Sequence, residues 1–397
     1  MLAAQSGDLR AVSRLLAAGA AVNARSNGRW TALMYAVSRR HLLVVKYLLS
    51  HGATSRVRGR EWTSPLGLAW EAGDRQILGA LVHAGADIND PRDDLLGNAA
   101  REGRLELAKT LIDLGADPNS GHSYDRPLHE AIQRRNGYLD KGIPGMVALL
   151  LQAGAKPEQE DLLTAMYVEC TDPARPITEL VLQTGVSVNS IDSLGRTPLF
   201  YAVGNGDEVM VKRLVGLGAK LEAPDQMGRT ALELAATIGD TAMVALLLKE
   251  GSSVSAGRNS SPMSAAADNG HPAIVKQLSA AGAKSGLIES RALRSAARHL
   301  DVSTVVALLE AGADPNLDEA GATALALALG DPQLRGEDLS NSGTVREQTL
   351  ALTKIILATP SLSQASKDNA LYWALIKQPK EILELLVAAG AKADATK

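Results

Sequence analysis

The stretch Asp192-Ser193-Leu194-Gly195-Arg196-Thr197-Pro198-Leu199-Phe200-Tyr201-Ala202-Val203-Gly204-Asn205-Gly206-Asp207 decides the fold, together with its continuation through Val211-Lys212-Arg213-Leu214-Val215-Gly216-Leu217-Gly218-Ala219. Thr197-Pro198 predicts a helix start. A threonine side chain caps free backbone amides, and proline fits the first turn because no N–H is needed there. Leu199 and Ala202 then share one helical face, the alanine small enough to admit a neighbouring helix. Gly206 tolerates positive φ and breaks the helix. Val211, Leu214 and Val215 form a second apolar face at i, i+3 and i+4, and Gly218 ends it. Two helices this short cannot bury their apolar faces alone, whereas stacked copies share a continuous core.

The copies are present. Helix-ending glycines recur at Gly19, Gly52, Gly85, Gly115, Gly154, Gly185, Gly218, Gly251, Gly282, Gly312 and Gly390. The last interval is two units long, with its missing marker near Thr359-Pro360. The order D-x-x-G-x-T-P-L, alanine, x-G-D, V-x-x-L and Gly-Ala resembles the ankyrin repeat, whose period is about 33 residues. The resemblance implies an all-α solenoid of about twelve helix–turn–helix units joined by β-hairpin loops. The expectation is a single solenoid over 1–397, with a truncated first repeat at 1–26 and a capping repeat at 362–397. Insertions are expected at 136–145 and 330–348. Met1 falls inside the first helix of its unit, so either a trimmed start or a removed leader is compatible with the pattern.

Composition agrees with stacked small helices. Apolar residues make up 46% of the chain but aromatic residues 3%, with one phenylalanine. Basic and acidic residues number 41 and 44, and the net charge of −3 gives no push toward nucleic acid or membrane. No apolar run approaches the length of a membrane span. The single cysteine, Cys170, excludes an intrachain disulfide framework and fits a reducing compartment. The expected location is the cytoplasm, a periplasmic or secreted one staying open with the leader, and the expected state is a monomer. The Ala/Leu/Arg/Gly-rich composition reads as bacterial.

No catalytic constellation emerges. His129-Glu130 lacks a second histidine four residues on, where Gln133 stands, so the zinc-protease spacing fails. As the histidine of a T-P-L-H motif, His129 is expected to bond hairpin backbone. No cysteine pair exists for zinc, and the glycines fall at repeat breaks rather than in a phosphate loop. The reading is a non-enzyme without cofactor or metal.

The resemblance places function on the hairpin tips and the exposed side of each first helix, which together line a concave face. Candidate contacts there are Trp30, Arg39, Arg58, Arg60, Trp62, Glu71, Arg101, Tyr124, Arg134, Arg196 and Arg229. Trp62 stands where the family has the hairpin glycine, and tryptophan and tyrosine are preferred interface anchors. The alternative is that Trp30 or Trp62 folds over the adjacent hairpin. The arginines would complement an acidic protein surface through bidentate carboxylate pairs. The expected function is binding another protein, as an inhibitor or immunity-type protein, the alternative being a scaffold or host-directed effector that bridges two proteins.

Overall fold

A computed structural model describes residues 1–121, 125–133, 143–169, 176–255, 261–284, 286–318, 323–329 and 343–392, apart from the side chains of 61, 376 and 377. The chain forms two compact units, Met1–Ser187 and Val188–Lys397. Among the described residues there are 24 α-helices, one 3-10 turn and no strand.

The first unit consists of six helix pairs: α1 (Leu2–Gln5) with α2 (Leu9–Ala17), α3 (Ala32–Ser38) with α4 (Leu42–Ser50), α5 (Pro65–Ala72) with α6 (Arg75–His83), α7 (Leu95–Glu102) with α8 (Leu105–Asp113), α9 (Pro127–Gln133) with α10 (Ile143–Gln152), and α11 (Gln159–Val168) with α12 (Pro176–Leu182). The second unit continues the same alternation. Its pairs are α13 (Pro198–Gly204) with α14 (Glu208–Gly216), α15 (Ala231–Ile238) with α16 (Thr241–Lys249), α17 (Pro262–Asp268) with α18 (Pro272–Ala280), α19 (Leu287–Arg298) with α20 (Val302–Glu310), α21 (Ala324–Leu329) with α22 (Gly343–Leu357), and α23 (Gln364–Lys377) with α24 (Lys380–Ala388). Within each unit, first helices pack on first helices and second on second, as α3 on α5, α4 on α6, α15 on α17 and α18 on α20. This is the ankyrin-type helical solenoid.

The helices begin and end for local reasons. Thr31, Ser64, Thr230 and Ser261 cap α3, α5, α15 and α17 through their side chains. Asp8, Asp74, Asp207, Asp240 and Asp301 cap second helices in the same way. Thr197 does not follow the expectation: α13 has no side-chain cap bond, and the Thr197 hydroxyl is buried without a partner. The core is aliphatic and small, with Leu33, Ile77, Leu81, Leu111, Leu128 and Leu150 fully buried beside Ala36, Ala69, Ala99 and Ala131. Burying each such leucine contributes roughly 1.5–3 kcal/mol.

Of the expected insertions, residues 136–142 and 330–342 lie outside the described residues, while 143–145 and 343–348 open helices α10 and α22. Cys170 also lies outside them.

Candidate functional site

A hairpin must reverse the chain in a few residues, and in four of the described hairpins one position in the left-handed region sets the geometry. In the second unit that position is glycine, Gly195 at φ 75° and Gly228 at φ 84°. Asp192 and Asp225 close these turns, each accepting two backbone amides. In the first unit the same position is Arg29 at φ 61° and Trp62 at φ 60°. Side chains are strained there, and Ser26 replaces the closing aspartate by accepting the Trp30 amide.

The candidate residues divide by environment. Trp62 is 69% exposed, and the Arg92 guanidinium lies 5.6 Å from its ring centroid. Trp30 is half-buried, its ring 5.2 Å from that of Tyr35 and lying on Gly59 of the next hairpin. Arg58 is mostly buried and is an internal clamp. It donates to Asp90 at 2.5 Å, to Asp93 at 2.6 Å and to the Trp62 carbonyl at 2.9 Å, tying the hairpins of the third and fourth repeats and fixing Trp62. Burial pushes the Asp90 carboxyl up, but the Arg92 amide and the Arg58 guanidinium outweigh it and hold it below the usual range.

Three of the other arginines are also engaged. Arg101 pairs bidentately with Glu130 of the next repeat, both bonds at 2.8 Å. Arg196 and Arg229 each turn back on the aspartate of their own hairpin at 2.8 Å. Arg39, Arg60 and Glu71 are exposed with no ion pair among the described residues. Tyr124 and Arg134 lie outside the described residues. The structure therefore brings Arg58, Arg60 and Trp62 together on one hairpin, with Arg92 of the next beside them. Arg92 as a contact of Trp62, and the Asp90/Asp93 pair as partners of Arg58, had no sequence signal, being some 30 residues away.

His129 is buried, its Nδ1 2.9 Å from the Asp161 carboxylate of the following repeat, which also accepts from Arg126 at 3.0 Å. The group is enclosed within the stack. Among the described residues, no group of three or more His, Cys, Asp or Glu side chains could hold a metal ion. No helix among them is long and apolar enough to cross a membrane.

Stacked helix pairs with hairpin tips closed by Asp-x-x-Gly define a helical repeat protein. The family pattern "Ankyrin repeats (3 copies)" matches residues 1–92 and 162–258. The chain is 32% identical over 117 residues to the ankyrin repeat protein FPV223 of fowlpox virus, covering 29% of this chain and 82% of that one. It is 31% identical over 123 residues to cyclin-dependent kinase inhibitor 2A of Monodelphis domestica, covering 30% of this chain and 67% of that one. The chain belongs to the ankyrin-repeat family.

Over 225 residues it is 30% identical to the ankyrin repeat and KH domain-containing protein mask-1 of Caenorhabditis elegans, 55% of this chain and 8% of the far longer relative. An ankyrin repeat domain from Acinetobacter baumannii is 28% identical, with a TM-score of 0.41, covering 47% of this chain and 97% of that one. Ankyrin repeats are generally protein–protein interaction modules, and the family is typically non-catalytic.

Proposed function

We propose that this protein acts without chemistry of its own, by holding another protein on the hairpin tips of its N-terminal unit, with Trp62 as the anchor. The observation that carries the proposal is Trp62 itself. It combines a left-handed backbone with 69% exposure, at a position where glycine serves elsewhere in the chain. Both features destabilise the free protein. Strain that packing does not require clusters at binding sites, and a rigid exposed tryptophan suits an interface centre. The contact surface takes in Arg60, Arg92 and the exposed Arg39 and Glu71, with Arg58 as a positioning residue. Because Arg101, Arg196 and Arg229 are already paired internally, an acidic partner would meet arginine mainly at Arg60 and Arg92. Occlusion of the partner, as an inhibitor, is the form this binding takes; one relative bears the name of a kinase inhibitor.

The test is Trp62→Gly, which restores the usual turn residue. It should raise stability to urea by about 1 kcal/mol while releasing the protein that the wild type captures from lysate of the native organism. Capture of that protein undiminished by the stabilised variant would remove Trp62 from the interface and sink the proposal.

A further inference from the structure

We infer a second docking surface on the N-terminal unit, lined by none of the hairpin-tip residues: the groove between the second helices α4 and α6, shaped and charged for an acidic helical segment of a partner protein. The groove has a volume of about 700 Å³ and is lined by Lys46, Leu49, Arg75, Gly79, Ala80 and His83 among others. Its floor exists because Gly79 and Ala80 place almost no side chain between the two helices.

Gly79 is the first reason to assign the groove a ligand. It sits in the middle of α6, where glycine is destabilising relative to alanine. No packing requirement explains it, since a Cβ there would meet only Leu114 Cδ2, at an ordinary 3.8 Å. Its φ is not in the left-handed region. An alanine would fit the fold, and a longer side chain would extend toward the groove.

Charge is the second reason, and it names the occupant. Residues 1–57 hold eight arginines and lysines against one acid, Asp8, in a chain whose net charge is −3. Asp8 is committed to capping α2. No ion pair among the described residues involves any of those eight, and Lys46 and Arg14 are exposed on the outer helices beside the groove. Arg75 on the rim pairs with Glu106 at 3.4 Å, but both side chains are more than half exposed, so the pair is weak and exchangeable. A helix presenting glutamates to Lys46 and Arg75, and a small apolar face to Gly79, Ala80 and Leu49, complements this surface in sign and shape. The nine-residue walls, about 13 Å long, match two to three turns of such a helix.

The probe is a fluorescein-labelled helical peptide of roughly 15 residues built from glutamate, leucine and alanine, titrated with the full chain at low ionic strength. Anisotropy should show saturable binding that Lys46→Glu and Arg75→Glu each weaken about tenfold. Gly79→Leu, which changes no charge, should weaken it comparably, and Trp62→Ser should leave it unchanged. The inference is overturned if the wild type does not bind the peptide, or if Gly79→Leu binds as the wild type does, which would reduce the effect to diffuse charge. It is equally overturned if single-stranded DNA or phosphatidylserine vesicles bind at this groove more tightly than the peptide. None of these outcomes bears on Trp62, so the tip surface stands or falls separately.

Discussion

Gly218 and Gly239 both lie at φ 89°, yet their surroundings differ. Nothing approaches the position a Cβ would take at Gly218, whereas at Gly239 the His271 ring of the next repeat comes within 2.5 Å of it. His271 Nε2 is there because it lies 3.2 Å from the Thr237 carbonyl at the end of α15. Gly218→Ala should therefore cost about 1 kcal/mol, for the left-handed backbone alone. Gly239→Ala should cost roughly 1–3 kcal/mol more, from overpacking. In a His271→Ala background the excess should vanish, and urea unfolding of the four variants measures it. An excess that survives loss of the ring would mean that backbone strain, not the histidine, sets the cost. The sequence marks both glycines as helix breaks, Gly218 after a second helix and Gly239 after a first, but not the difference in crowding, because the histidine that causes it is 32 residues beyond Gly239. Trp62 was legible as an unusual turn residue for the same local reason. Its exposure was not, because that depends on Arg92 and, through Arg58, on Asp90 and Asp93, all in the next hairpin.

Between elements, the repeats are tied by side chains at fixed places. The residue four beyond each helix-ending glycine bridges to the next repeat when it is asparagine. Asn23 reaches the Gly52 carbonyl and accepts the Thr54 amide, and Asn119 and Asn189 do the same at Gly154/Lys156 and Gly218/Lys220. Where a hairpin is short or divergent, a carboxylate of the later repeat also reaches back, for Asp161 at the junction that Asn119 already bridges. Asp93 accepts from Ser64, Asp161 from Arg126, and Glu289 from Ser261. The sequence shows these hairpins as irregular, but not the carboxylate contacts, which span 28 to 35 residues.

Asp161 gives a test of such a contact. Burial pushes its carboxyl up, but the His129 hydrogen bond, the Glu158 amide and the Arg126 charge prevail and hold it below the ordinary value. Because the folded value is depressed, this stabilisation is fully present above the ordinary carboxylate range near ~3.9. It is lost as pH falls through the lower folded value. Asp161→Asn leaves buried Arg126 without that carboxylate and should cost about 3 kcal/mol at neutral pH. Urea unfolding should show the difference from wild type shrinking as the solution is acidified below the carboxylate range. A gap that stays constant with pH would assign the loss to shape rather than charge.

At the scale of the whole molecule, net charge conceals its own distribution. The first 57 residues carry +7 and the remaining 340 carry −10, giving the −3 that reads as neutrality when taken over the full chain. A repeat stack has no single interior across which charges average, so each repeat keeps the field of its own residues, screened beyond about 10 Å. In the first repeats that field opposes stability. Arg10 occupies the first turn of α2, where the helix dipole favours an acid, and Arg14 stands one turn further along the same face. Arg10→Glu reverses both terms, creating an i, i+4 Glu–Arg pair and an acidic first turn. The variant should be more stable by about 0.5–1 kcal/mol at low salt, with the gain falling as salt is added. Amide exchange across α2 and α4 measures it at two ionic strengths. If exchange there is unchanged or faster in the variant, the basic end is no burden on folding and needs no ligand to account for it. If exchange slows, the chain carries at its N-terminal end a charge that weakens its own fold, as Trp62 and Gly79 do in the same unit, and binding is the function those three features would share.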